Sequence, residues 1–185
     1  MQLWIAEKPS VAKAICAELG IVKKGAGFNE CKGGNTVTWC FGHLLEQAAP
    51  DAYTPEDVPL TKKGGKIWRM QDLPIFPSVW KLNVKPDKGV KAQLRTIKLL
   101  LGKADSIVNC GDPDREGQLL VDEILEFYKC RKPVSRFWVS AQDPASIKKG
   151  LQSLKPNSQF QGMKLAALGL SLIHISEPTR PISIS

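Results

Sequence analysis

With 185 residues, 43% hydrophobic and 24% charged, the chain has the length and composition of one well-buried domain, which excludes both a disordered chain and two full-sized domains. Its 26 Lys and Arg against 18 Asp and Glu give a net charge of +8, which favours a polyanionic partner because clustered cations release counterions from a nucleic-acid backbone. No run approaches the roughly 18 apolar residues that a membrane span requires, and Glu7 interrupts the apolar start too early for a signal peptide, so a soluble, cytoplasmic protein is expected.

The first six residues form a short apolar run that ends in Glu7-Lys8-Pro9-Ser10, and residues 11–19 then carry Val11, Ile15 and Leu19 at helical spacing. This predicts strand, loop, helix. Gly20 stops the helix, and Gly25, Gly27, Gly33 and Gly34 bracket short segments that include a strand over residues 36–41, read as a hairpin insertion. Residues 50–79 hold Pro50, Pro55, Pro59, Pro74 and Pro77 beside the basic stretch Lys62-Lys63-Gly64-Gly65-Lys66, which predicts an exposed loop without long regular elements. Residues 80–84 alternate as a half-buried strand, and residues 91–101 form an amphipathic helix closed by Gly102.

Residues 106–110 read as a buried strand leading into Gly111-Asp112-Pro113-Asp114-Arg115-Glu116-Gly117, followed by a packed helix over 118–128, a strand over 134–139, and a helix opened by Asp143-Pro144. Strands alternating with helices predict an α/β domain, a mostly parallel sheet flanked by helices and carrying the hairpin and Pro-rich insertions. From Leu170 the helical pattern is abandoned for Leu-Ser-Leu-Ile-His-Ile-Ser-Glu-Pro-Thr-Arg-Pro-Ile-Ser-Ile-Ser. A domain over 1–168 with an unrelated or disordered tail over 169–185 is therefore expected. The five cysteines form no Cys-x-x-Cys pair and there are two histidines, so no zinc set is visible and reduced, mostly buried thiols are expected.

Both acidic motifs fall at the carboxyl ends of predicted parallel strands, where loops converge and ligands bind in open α/β sheets. Glu7 follows the first strand; Asp112, Asp114 and Glu116 follow the strand at 106–110. Grouped carboxylates repel one another unless a cation stands between them, and a hard divalent ion suits them. Magnesium pairs one or two protein carboxylates with substrate phosphates, which points to a phosphodiester or nucleotide substrate and metal-assisted phosphoryl transfer. Lys8 and Arg115 add positive charge at the same edge, suited to a scissile phosphate. The competing reading is plain capping, since acids at the first helical turn are favoured by the helix dipole. Gly111 and Gly117 allow close approach of backbone and ligand. A lone histidine such as His43 is read as structural, and Trp4, Trp39, Trp80 and Trp138 as strand residues in the core. Trp68, between Lys66 and Arg69, is the exception: it could stack on an unpaired base or pin its loop. No Gly-x-x-x-x-Gly-Lys-Ser/Thr loop is present, against a P-loop nucleotidase.

Ala6-Glu7-Lys8-Pro9-Ser10 together with Gly111-Asp112-Pro113-Asp114-Arg115-Glu116-Gly117-Gln118 resembles the Toprim domain of bacterial type IA DNA topoisomerases, the topoisomerase III subgroup above all. The likeness runs through Thr38-Trp39-Cys40-Phe41-Gly42-His43-Leu44-Leu45-Glu46 and Asp72-Leu73-Pro74-Ile75-Phe76-Pro77 and covers residues 1–168. It implies a magnesium-dependent isomerase acting on single-stranded or underwound DNA, which cuts one strand, holds the end on a tyrosine, passes another strand and reseals. Glu7 matches the family's acid beside the scissile phosphate, Lys8 its phosphate-positioning lysine, and Asp112, Asp114 and Glu116 its metal-binding acids, with Arg115 in support. Trp68 lies where the family touches single-stranded DNA. The family continues past residue 168 into the gate that carries the tyrosine, whereas this chain turns into its tail, so a truncated or chimeric product, inactive alone, is expected. A Toprim nuclease or primase would use the same acids without a tyrosine, and a basic nucleic-acid-binding module would use them only as caps. The oligomeric state is not legible.

Overall fold

A computed structural model describes the chain except Trp68, Phe76, Ser78 and residues 177–185. Strand β1 (Gln2–Ala6) feeds helix α1 (Pro9–Leu19), then come β2 (Ile21–Gly25), β3 (Phe28–Cys31) and β4 (Asn35–Trp39). A small antiparallel pair, β5 (Leu45–Gln47) and β6 (Leu82–Val84), frames the Pro-rich loop. Helix α2 (Lys88–Lys103), β7 (Ser106–Cys110), α3 (Arg115–Phe127), β8 (Val134–Arg136), α4 (Pro144–Gln152), β9 (Lys155–Pro156) and α5 (Gln161–Ser176) complete the order.

The main sheet runs β2-β3-β4-β1-β7-β8-β9, parallel through β4, β1, β7 and β8 and antiparallel at both ends. It is the mostly parallel α/β sheet that the alternation of elements predicts. The hairpin is not a separate insertion: β4 pairs with β1, and β2 and β3 extend that edge.

Burial on both faces follows from the twofold alternation of strand side chains. Leu3 and Ile5 of β1, with Ile107 of β7, pack on Leu94, Ile97, Leu120, Val121 and Ile124 of α2 and α3. Trp4 and Ala6, with Val108 and Cys110, face Val11 and Ile15 of α1 and Ile147 of α4 on the other side. Three layers therefore enclose the central strands, and only their ends are left for chemistry. Asp87 caps α2 and Asp143 caps α4, each accepting a hydrogen bond from the backbone N–H three residues on (Val90 N, 2.9 Å; Ser146 N, 3.0 Å). These contacts extend α2 three residues earlier than apolar spacing alone predicts.

Three expectations change. The strand expected over 134–139 stops at Arg136: Phe137 N–H still makes the ladder bond to Asn109 O, and Trp138 then stacks on Phe160. Trp80 likewise lies outside β6, edge-on to Tyr53. Helix α5 runs to Ser176, beyond the point at Leu170 where the apolar period breaks. The helix packs on α3. All five cysteines are free and four are buried. Among the described residues no helix is long and apolar enough to cross a membrane.

Candidate functional site at the acidic sheet edge

Strands β1 and β7 are in parallel register with Ala6 opposite Cys110. Glu7 and Gly111 therefore leave the sheet side by side. The two acidic motifs, more than a hundred residues apart in the chain, meet at this point. Asp112 N–H donates to Glu7 Oε2 at 2.8 Å, and Lys8 Nζ donates to Asp112 Oδ2 at 2.6 Å. Asp114 is the cap of α3, its Oδ1 accepting from Gly117 N–H at 2.7 Å. Capping therefore holds for one oxygen of Asp114 and leaves its role at the edge open.

The loop is tight enough to demand both glycines. A Cβ on Gly111 would stand 2.0 Å from Gly117 O, and one on Gly117 would stand 2.4 Å from Asp112 N and 2.8 Å from Glu7 Oε2. These glycines were expected to admit backbone and ligand; what they admit here is the loop's own backbone and the Glu7 carboxylate.

Electrostatics favour a charged Lys8. The hydrogen bond to Asp112 raises its pKa above the ordinary lysine value, with Asp112, Glu7 and Asp114 adding to it against partial desolvation. Glu116 points elsewhere: its Oε2 lies 3.7 Å from His43 Nε2, while His43 Nδ1 lies 3.4 Å from Glu123 Oε2. The Glu123 hydrogen bond, with both carboxylate charges, raises the His43 pKa. His43 thus stands between Glu116 of the motif and Glu123, a placement its position in Gly42-His43-Leu44 alone does not reveal. Arg115 is exposed on the first turn of α3. Trp68 lies outside the described residues.

As hydrogen-bonded here, Glu7, Asp112 and Asp114 each use one oxygen, and the Lys8 ammonium supplies the cation beside Asp112. Among the described residues no three His, Cys, Asp or Glu side chains form a ready-made metal cage. The donors are all carboxylate oxygens at two adjoining strand ends, the chemistry a hard divalent ion takes.

Arg136 is the residue that sequence reasoning missed. It is fully buried and its guanidinium reaches under the acidic loop. Nη1 donates to Gly111 O (2.8 Å), Phe137 O (2.9 Å) and Asn109 O (3.1 Å), and Nη2 to Asp112 O (2.7 Å). Its Cζ lies 4.9 Å from the Trp138 ring centre. Burial lowers its pKa, opposed by the charges of Asp122, Asp114 and Glu7 among others. Beside it, Asn109 Oδ1 accepts from Gly111 N–H at 3.0 Å, while the Asn109, Gln118 and Asn157 amides bond the buried Asp122 carboxylate. The loop is fastened at both its N–H and C=O groups. An arginine directly before the apolar Phe137 and Trp138 was the available signal, since a buried arginine requires several acceptors.

Comparison with known proteins places these features in a context. The Toprim domain family matches residues 2–142. The chain is 44% identical to DNA topoisomerase 3 of Haemophilus influenzae and 43% identical to that of Salmonella typhimurium, in each case over 91% of this chain and 25% of the relative. The Vibrio cholerae protein of the same name is 43% identical over 92% of this chain and 26% of its own. The chain thus spans about a quarter of the length of the curated relatives it matches. Among solved structures, full-length topoisomerase I from Thermotoga maritima superposes with a TM-score of 0.53 at 19% identity, over 91% of this chain and 23% of that one.

Proposed function

Because this chain belongs to the Toprim domain family, we propose that it is the Toprim part of a type IA DNA topoisomerase of the topoisomerase III kind, an isomerase that cuts, passes and rejoins single DNA strands. One observation carries this reading: Lys8 and Asp112 are ion-paired at 2.6 Å, with Glu7 bonded to the Asp112 amide, where β1 and β7 end together. The names and identities of the topoisomerase 3 relatives support the subgroup.

In the proposed reaction a tyrosine oxygen attacks a DNA phosphorus. The bond from phosphorus to the neighbouring deoxyribose oxygen breaks, that oxygen gains a proton, and the tyrosine loses one; rejoining reverses each change. Protonated Lys8 pairs with the scissile phosphate, and Arg115 adds charge at the same edge. Glu7 is the carboxylate at hand for the proton. Magnesium would be held by the carboxylates of Glu7, Asp112, Asp114 and Glu116. When bound, it supplies positive charge to the phosphate.

The tyrosine comes from a segment beyond these residues. Tyr53 accepts a hydrogen bond from Lys81 N–H at 2.7 Å, and Tyr128 donates to Leu94 O at 3.1 Å. Both hydroxyls are committed to backbone away from the acidic edge. The test joins residues 1–168 to the remainder of the Haemophilus influenzae relative. This chimera should relax negatively supercoiled plasmid with magnesium and form a covalent protein–DNA adduct. Lys8→Met in the chimera should not, and the 185-residue chain alone should do neither. A folded chimera without adduct, or relaxation by the chain alone that disappears in Tyr53→Phe, overturns the reading.

A further inference from the structure

A groove of about 330 Å³ adjoins the acidic edge, with Pro9, Lys13, Lys24, Asn29 and Trp39 in its walls. The sheet register fixes where it lies. Trp39 is the residue opposite Ala6 in the parallel β1–β4 pair, so its indole stands at the strand end next to the one that releases Glu7. Pro9 follows Lys8 directly, Lys13 comes one turn further along α1, and Lys24 and Asn29 come from the β2–β3 hairpin. The groove therefore lies beside the strand end that releases Glu7 and Lys8.

Its chemistry differs from that of the edge it adjoins. The described lining holds two cations, an indole, an amide, the Cys16 thiol and apolar carbon, and no carboxylate. Lys13 and Lys24 are exposed, while Trp39 is half-buried with one side packed on the cluster that contains Val11 and Ile15. Core packing accounts for that inner side and leaves the side towards the groove unexplained. An aromatic face flanked by two exposed ammonium groups is what an unpaired nucleotide needs: a platform for its base and counter-charges for its backbone.

We propose that this groove is a subsite for one unpaired nucleotide of the DNA strand next to the phosphate held at the acidic edge, its base stacked on Trp39 and its backbone paired with Lys13 and Lys24. The proposal rests on the reading of that edge as a DNA site.

The test is fluorescence anisotropy of labelled oligothymidylates with the complete chain, across a salt series. Trp39→Leu should weaken binding on the order of tenfold, the usual scale for loss of one base–aromatic stack. Lys13→Gln with Lys24→Gln should reduce the slope of log affinity against log salt by roughly 1.4, the value for two single-strand phosphate contacts. Magnesium-linked thermal stabilisation should stay unchanged in both. If both variants bind as the parent does, the groove assignment fails while the acidic-edge reading stands. If no oligonucleotide binds but magnesium still stabilises, the groove assignment fails alone; if neither occurs, both readings fail. Complete displacement by millimolar inorganic phosphate, with no dependence on oligonucleotide length, would mark an anion site and overturn the proposal. Should Trp39→Leu fail to fold, the surface lysine variant decides alone.

Discussion

Replacing Arg136 by methionine removes the guanidinium and keeps a flexible apolar side chain in its place. Four backbone oxygens lose a donor. Two of them retain another, since Phe137 N–H bonds Asn109 O at 2.9 Å and Asp114 N–H bonds Asp112 O at 2.8 Å. Gly111 O and Phe137 O are then left buried without a partner among the described residues. Each orphaned carbonyl costs about 1–3 kcal/mol, so the variant should lose roughly 4 kcal/mol, less whatever is regained by no longer burying a charge. For a chain of this size that is a drop in Tm of roughly 8–16 °C. Thermal and urea melts measure it. Arg136→Lys keeps a cation and three donors without the planar fork and should recover only part of the loss. A second readout separates positioning from stability: below its melting range Arg136→Met should show weaker magnesium-linked stabilisation, because the Asp112 carbonyl no longer anchors the loop. A Tm within about 2 °C of the parent, together with an unchanged magnesium response, would refute the claim that Arg136 holds the acidic loop.

Two further outcomes follow from the same geometry. Asp112→Asn with Asp114→Asn should abolish magnesium-linked stabilisation in calorimetry while the fold persists, because asparagine caps α3 about as well as aspartate and the partly exposed Lys8–Asp112 pair contributes no more than about 1 kcal/mol. Equal magnesium responses in parent and variant would identify ordinary surface acids. Gly117→Ala should cost more than 2 kcal/mol in urea denaturation, an estimate of about the size expected for overpacking, because its methyl group would press on the Asp112 backbone and on Glu7. An unchanged midpoint would show that the loop has room to yield.

Much of the fold was legible along the chain because its evidence is local. Apolar spacing in residues 11–19, the bounded run Ser106–Cys110 and the Asp143-Pro144 opening each point to their element, and each was found there. The paired motifs around Glu7 and Asp112 were legible for the same reason: each follows directly on a buried strand. Local pattern also misled where a contact from elsewhere overrides it. Phe137 N–H still bonds Asn109 O as a ladder bond, but Trp138 stacks on Phe160 and the predicted strand goes no further.

What the sequence alone determined is therefore the central strands and their flanking helices, their mostly parallel order, and which acids end which strands, since strand period, glycine stops and caps act over a few residues. Only the tertiary structure decided the partners: Lys8 on Asp112, Glu7 on the Asp112 amide, Glu116 on His43, and the buried Arg136 beneath them all. Those contacts join residues up to 105 positions apart. They depend on the Ala6–Cys110 register of two strands, which packing of the whole core sets and no single segment of the chain encodes.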